Sequence, residues 1–447
     1  MEEWVSTPSD VYEFLLGYPW PIKWAYAMLA GVAVLAAVCS RRPARTEGRL
    51  DSEPPASLSW RRRFRRLLPW LPFAWFIWQL LAASNTSAPD LTVPVTAHFL
   101  AAVSCFYVGY FALSRAPVLN GFWLPLLICF WFVLIAGWSQ HFGGLEQTRR
   151  YFYLYVYPQL QEVPPEYLKK MTSSRIFATL FYPNALAGAL LLLLPGLLAW
   201  SCGLRRWLTP GARALVAGAT AVAALGCLAW SGSKGGWLIA LGMSVLALLR
   251  LPLGKRFRVL LVSGLLVAGA AGFLWRYATF FQRGATSVGA RFDYWRAALV
   301  VTRENPLTGS GPGTFGRAYS AIKAPESEPA RLAHNDYLQQ ASDSGIPGLL
   351  LYAGFVSGAI WLTYPRQPRN GTRTVAPSFW GRTEDWHRYA TWLGLAGWSL
   401  QGMMEFGLYI PALAWPAFAL FGWSLGLTRS SGPSSPDEPA TGPNPPK

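Results

Sequence analysis

The sequence predicts an all-α, polytopic integral membrane protein of about 11–12 transmembrane helices, with a helical loop on its outer face. Three observations carry this expectation. Hydrophobic residues make up 52% of the 447 and charged residues only 14%, where a soluble domain carries roughly 25% charge. The chain holds 23 Trp, 19 Tyr and 25 Phe, and Trp and Tyr concentrate at membrane–water interfaces. The apolar residues also fall in runs close to the length of about 20 that a bilayer crossing needs. An ordinary soluble protein and a disordered chain are both excluded.

Eleven runs read as spans: 22–39, 67–83, 95–114, 121–138, 184–201, 212–230, 236–249, 257–275, 346–364, 389–410 and 412–427. Several contain Gly and Pro, which membrane helices tolerate because neighbouring groups re-satisfy the freed backbone. The run 236–249 is short and is expected to extend or tilt. The run 12–20 is too short to cross, and reads either as interfacial or as part of a twelfth span. Residues 1–10 are acidic and polar, without the positive start of a cleavable signal peptide.

The connections fix the orientation. Loops 40–66, 115–120, 202–211, 250–256 and 365–388 are short and basic, and the first alone holds Arg41, Arg42, Arg45, Arg49, Arg61, Arg62, Arg63, Arg65 and Arg66. Short basic loops stay in the cytoplasm, where such a cluster anchors the chain to anionic lipid. The net charge of +17 therefore points to membrane lipids and not to nucleic acid. The tail 429–447 is rich in Pro, Ser and Gly and is expected to be disordered in the cytoplasm.

Two long connections, 139–183 and 276–345, fall on the opposite side. They carry Arg149, Arg150, Lys169, Lys170 and Arg175, then Arg276, Arg283, Arg291, Arg296, Arg303, Arg317, Lys323 and Arg331. Cations facing outward run against the usual bias, and an anionic substrate at the outer leaflet supplies a reason for them. The segment 309–316 contains a formal G-x-G-x-x-G (Gly311, Gly313, Gly316). It lacks the strand and helix context of a dinucleotide site and reads as a tight turn. His334 is one of only four histidines and stands at the expected start of a helix. It is either a cap or a titrating group beside arginines that grip phosphate. The helix it opens is expected to stop at Asp343-Ser344-Gly345, with Pro347 near the start of the next span. The five cysteines form no C-x-x-C pair, so neither a disulfide framework nor a zinc site is indicated.

At these residues the chain resembles the O-antigen ligase / O-antigen polymerase superfamily of bacterial envelope glycosyltransferases. Residues 309–348 resemble its G-x-G-x-G-T-F turn, A-H-N-D-Y-L-Q segment and G-I-x-G exit into a span. Residues 290–298 resemble its Arg-led aromatic helix. Residues 175–184 resemble R-x-x-G-T-F-x-x-P-N, with Ala178 where Gly is usual. Residues 231–236 resemble T/S-x-S-R-G, with Lys234 where Arg is usual. Residues 401–411 resemble H-S-x-x-D-F-x-L-x-I-P, with Gln401 for His and Glu405 for Asp. The resemblance runs in order from about residue 175 to 427.

The resemblance implies transfer of a glycan from undecaprenyl pyrophosphate to an acceptor hydroxyl, such as that of lipid A–core, at the periplasmic face of the bacterial inner membrane. The implied reaction is metal-independent and inverting, and needs no cofactor. His334 is then the expected general base or acceptor-orienting group, with Arg175 and Arg291 as pyrophosphate ligands and Lys234 as a third. Asn335 and Asp336 orient His334 or cap its helix, and Glu405 holds one of the cations or the His. Tyr182, Trp295 and Tyr337 are either sugar platforms or belt residues. The expected organisation is an N-terminal periplasmic or interfacial segment 1–21 and a membrane domain 22–428 that includes the periplasmic catalytic loop 276–345. Polymerisation of lipid-linked repeats and protein O-glycosylation need the same donor grip. A flippase or transporter is the competing class, but the internal repeat typical of transporters is not seen.

Overall fold

A chain this apolar has to bond its backbone within each segment, and helices do that. The computed structural model describes residues 22–39, 59–86, 88–159, 172–180, 182–282, 286–325, 327–365 and 383–430. Among them the regular structure is helical throughout, with no strand. The helices are α1 (Ile22–Cys39), α2 (Ser59–Leu67), α3 (Leu71–Ala83), α4 (Pro89–Phe111), α5 (Asn120–Ser139), α6 (Leu145–Tyr151), α7 (Pro183–Gly203) and α8 (Pro210–Ser231). They continue as α9 (Lys234–Arg250), α10 (Lys255–Gln282), α11 (Thr286–Glu304), α12 (Phe315–Ile322), α13 (Asp336–Thr363), α14 (Thr383–Gln401) and α15 (Pro411–Ser430). Apart from 389–410, each expected span falls largely on helix. Six helical stretches among the described residues are long and apolar enough to cross a membrane: Pro89–Arg115, Asn120–Tyr155, Pro183–Gly203, Pro210–Ser231, Lys255–Ala278 and Asp336–Thr363. The expected segment 1–21, residues 40–58 of the arginine-rich loop 40–66, and the tail from 431 onward lie outside the described residues.

Small residues let the helices approach closely. A Cβ at Gly109 of α4 would lie 2.0 Å from the Ala419 carbonyl oxygen, and one at Gly422 of α15 would lie 1.9 Å from that of Phe106. Gly422 and Gly426 are spaced as G-x-x-x-G, the pattern that packs helices where lipid gives no hydrophobic drive. Around this seam Trp75, Phe99, Phe106, Phe355, Phe418 and Phe421 form the centre of the main core. α10 is different. It packs against α9, no residue of its most apolar stretch is buried, and Phe257, Leu260, Val267 and Trp275 face outward, as they would toward hydrocarbon.

Two boundaries differ from expectation, and a third meets it. The span read as 389–410 is not one helix: α14 ends at Gln401, and a turn and the short 3-10 helix Gly407–Tyr409 lead to α15. Hydropathy reads this apolar stretch as continuous because it does not see the hydrogen bonds that fold it back. α5 does not end in a loose outer loop but runs on through a kink at Phe142 and Gly143 into α6. α13 is interrupted at Ser344 and Gly345, with Gly345 at φ +71°; this is the stop expected from Asp343-Ser344-Gly345. His334 itself lies just before that helix, whose cap is Asn335. The segment 276–345 contributes α11 and α12, and Tyr294, Ala298, Phe315, Tyr319 and Ala333 give it a small core of its own.

Candidate active site

Most of the residues singled out from the sequence sit where helices begin or end; Arg291 lies in the second turn of α11. Asn184 is the second residue of α7, behind Pro183. α8 ends at Ser231, followed by Gly232 at φ +61°, and Ser233 then caps α9, whose first residue is Lys234. His334 precedes the cap of α13, and Glu405 lies four residues beyond the end of α14. Helix ends leave backbone groups unpaired, so this is where side chains and backbone can be tied together.

Glu405 is the hub. Its Oε1 accepts from an Arg291 Nη2–H and, at 2.6 Å, from Asn184 Nδ2–H; its Oε2 lies 3.4 Å from His334 Nδ1. Glu405 is buried at 7% exposure, and a carboxylate there is sustained by pairing and hydrogen bonding. Asn184 passes the connection on: its Oδ1 accepts from Arg175 Nη2–H at 2.7 Å. Arg175 Nε–H also donates to the Ser231 carbonyl at 2.7 Å. Burial lowers the Arg175 pKa from its ordinary value, while Tyr182 and Glu405 act the other way. Lys234 Nζ sits 5.2 Å from the centre of the Tyr277 ring and within electrostatic range of Arg175 and Arg291. The structure thus gathers three cations, one carboxylate and one imidazole.

The His334 ring is framed by aromatics. Tyr294 stacks on it at 5.7 Å and 26°, Phe406 meets it edge-on at 4.9 Å, and Tyr182 lies 6.1 Å away. Nδ1 is the ring nitrogen turned to the Glu405 carboxylate. The backbone here is also unusual. Among described non-glycine residues only His334 and Ala178 have positive φ, each at +52°. Such conformations are held by their surroundings and cluster at functional sites. Ala178 is the position where the resemblance expects Gly, and this φ is the reason for that preference. The Gln140 side chain holds the strained loop, accepting from Phe177 N–H and Ala178 N–H at 2.9 and 2.8 Å and donating to the Ala178 carbonyl at 3.0 Å.

The other expected residues hold the scaffold. Asn335 Oδ1 accepts from the Tyr337 and Leu338 N–H groups, both at 3.0 Å, and so caps α13. Asp336 is buried and its carboxylate accepts from Leu408 N–H at 3.0 Å. Tyr337 O–H donates to the Ser399 carbonyl at 3.1 Å. Of the two alternatives open for Asn335 and Asp336, the contacts give capping to Asn335 and contact with His334 to neither. These contacts of Asn335, Asp336 and Tyr337 fix the start of the helix that follows His334. Trp295 packs beside the small core of the outer loop, not against His334.

The G-x-G-x-x-G segment is a turn pinned from within. Gly309, Gly311 and Gly313 all have positive φ, and a Cβ at Gly309 would sit 2.4 Å from the Ser342 carbonyl oxygen. Asp343 accepts from Gly313 N–H at 2.8 Å and Phe315 N–H at 3.2 Å. The amides that would otherwise cradle a phosphate are bonded to a carboxylate of the same chain.

Sequence reasoning did not single out Asn184 or Gln140. Asn184 is spelled within the 175–184 motif but looks like a helix-start residue; Gln140 is a lone amide at the end of an apolar run. Their partners lie 221 and 38 residues away. A comparison with curated proteins finds no match. Residues 219–353, which include Lys234, Arg291 and His334 but not Arg175, Asn184 or Glu405, match the family model described as O-Antigen ligase, and this match supports the superfamily to which the motifs point.

Proposed function

We propose that the chain transfers a glycan from undecaprenyl pyrophosphate to an acceptor hydroxyl at the periplasmic face of the inner membrane, with a lipid A–core sugar as acceptor. The family match supports a function of the O-antigen ligase or polymerase type in general. The observation that carries the finer reading is the Glu405 hub, which joins His334 to Arg291 directly and to Arg175 through Asn184.

The chemistry follows from those contacts. Glu405 holds the imidazole with Nδ1–H toward the carboxylate, the arrangement that fixes a base in its useful tautomer. Nε2 then takes the acceptor hydroxyl proton as that oxygen bonds to the anomeric carbon. The bond from that carbon to the pyrophosphate oxygen breaks, and the electron pair leaves with undecaprenyl pyrophosphate. Arg175, Arg291 and Lys234 exceed the single Glu405 charge, so the site has positive charge to spare for the leaving group. Fixed cations there stabilise charge as it develops. A single displacement inverts the anomeric centre.

The test is transfer from an undecaprenyl-pyrophosphate-linked glycan by purified protein in detergent with EDTA present. Carrier release that depends on a hydroxyl acceptor and is lost in His334→Ala is expected, with an inverted anomeric configuration by NMR. Donor binding without turnover on any acceptor would refute the transferase reading and favour translocation of the lipid-linked glycan. The product sorts the acceptors: lipid A–core attachment, a lengthened lipid-linked repeat, or a glycosylated protein.

A further inference from the structure

His98 lies within α4 and is buried at 5% exposure. Its Nδ1 accepts from the Trp415 Nε1–H at 3.1 Å. That fixes the neutral ring with its proton on Nε2, which donates to the Leu408 carbonyl at 2.7 Å. On the other side of the same residue, Leu408 N–H donates to the Asp336 carboxylate, 3.2 Å from Oδ1 and 3.0 Å from Oδ2. Leu408 is fully buried, so both its backbone groups depend on these two side chains. Asp336 N–H in turn donates to the Gly402 carbonyl at 2.7 Å and the Glu405 carbonyl at 3.1 Å. Asp336 therefore grips the turn on both sides of Glu405, and it stands two residues after His334.

We infer that Trp415, His98 and Asp336 form a clamp on Leu408 whose task is to set the Glu405 carboxylate against His334, which makes His98 and Asp336 positioning residues for the transfer. The inference rests on the reading of Glu405 and His334 given above. The covalent path from Glu405 to His334 runs 71 residues through α13 and α14, too long to fix a contact of 3.4 Å. The short path is the pair of hydrogen bonds from Asp336, and the bond from His98 fixes the far end of the turn. A buried imidazole with both nitrogens bonded, one to a carbonyl and one to an indole, also accounts for a polar residue inside an apolar span, where such groups are costly without a role.

The test uses the full-length protein, with His98→Gln and His98→Leu, each alone and combined with Glu405→Gln. Glutamine keeps one donor and one acceptor; leucine keeps neither. Transfer from the undecaprenyl-pyrophosphate donor should fall about tenfold in kcat for His98→Leu, the effect of one lost buried hydrogen bond, with KM for the donor unchanged. His98→Gln should recover most of it. In the Glu405→Gln background the His98→Leu loss should disappear, because residues acting through one another are not additive. Hydrogen exchange gives a readout independent of turnover: His98→Leu should speed exchange in a peptide covering 402–410 and leave the rest of α4 and α15 unchanged. A loss that multiplies in the double variant, or faster exchange across both helices, would overturn the inference and leave His98 a packing residue. If wild type transfers nothing, the functional reading fails, and the exchange pattern alone decides whether the clamp exists.

Discussion

Glu405 and Asp343 are both buried carboxylates, and their partners differ in kind. Asp343 is bonded to neutral groups: Gly313 N–H, Phe315 N–H, the Gln339 amide and the Tyr409 hydroxyl. Two of these are backbone amides that nothing dissolved can replace without unfolding the turn. Glu405 is bonded to side chains that carry or exchange charge, Arg291 and His334, and to Asn184, which leads to Arg175. A pyrophosphate can compete for those cations. The first carboxylate closes a structure, while the second keeps a charge set poised. Burial alone does not distinguish them; the partners do.

The largest effect should come from removing the groups Glu405 holds. His334→Ala is expected to lower transfer by about 10²–10⁴-fold, the usual contribution of a positioned acid–base group. Arg291→Ala should lose a comparable factor through leaving-group stabilisation. Both should reach the membrane at normal abundance, as measured by immunoblot of membrane fractions. Asp343→Ala should show the reverse pattern. It orphans two buried amide donors at about 1–3 kcal/mol each, so the thermal midpoint in detergent should fall while the surviving folded molecules turn over at near the wild-type rate. If Asp343→Ala kept its midpoint and lost turnover, the contrast would collapse.

A finer probe shortens the hub. Glu405→Asp restores the residue usual in the resemblance but draws the carboxylate back by one methylene. With Asn184, Arg291 and His334 placed for the longer side chain, a misplacement of about 1 Å is expected to cost tens-fold in kcat without changing the midpoint. Gln401 donates to the Asn184 carbonyl at 2.8 Å, so the two departures from the family pattern meet on one residue. Adding Gln401→His should recover part of the Glu405→Asp loss in initial-rate measurements; no recovery would mean the two positions are independent.

These contacts also mark what was legible in the sequence. The helical character of most apolar runs was, because apolar length is a local property and a helix follows from it. Arg175, Arg291 and His334 were legible as unusual residues in the two long connections, and Glu405 as a carboxylate within an apolar run. That Glu405 holds one of the cations or the His was expected; that it holds Arg291 and His334 together, and reaches Arg175 through Asn184, was not, since Arg291 and Asn184 reach Glu405 across 114 and 221 residues. The stretch 389–410 was misjudged for the same reason. Its composition is that of a span, but the groups that fold it, Asp336 and His98, belong to helices far away in sequence. Asn335 was ambiguous until its oxygen could be seen accepting from Tyr337 and Leu338.

The smallest expected effect tests the strained loop that carries Arg175. Ala178 holds φ +52°, a conformation that costs an L-residue roughly 1–2 kcal/mol. Glycine removes that strain but gives back about 0.5–1 kcal/mol in chain entropy. Ala178→Gly should therefore stabilise the protein by at most about 1 kcal/mol, read as a small rise in thermal midpoint. Gln140 bonds the backbone of residues 177 and 178 and not the Ala178 side chain, so the loop should keep its shape and transfer its rate. A fall in midpoint would show that the Ala178 methyl, buried at 4% exposure against the main core, contributes more in packing than the backbone loses in strain.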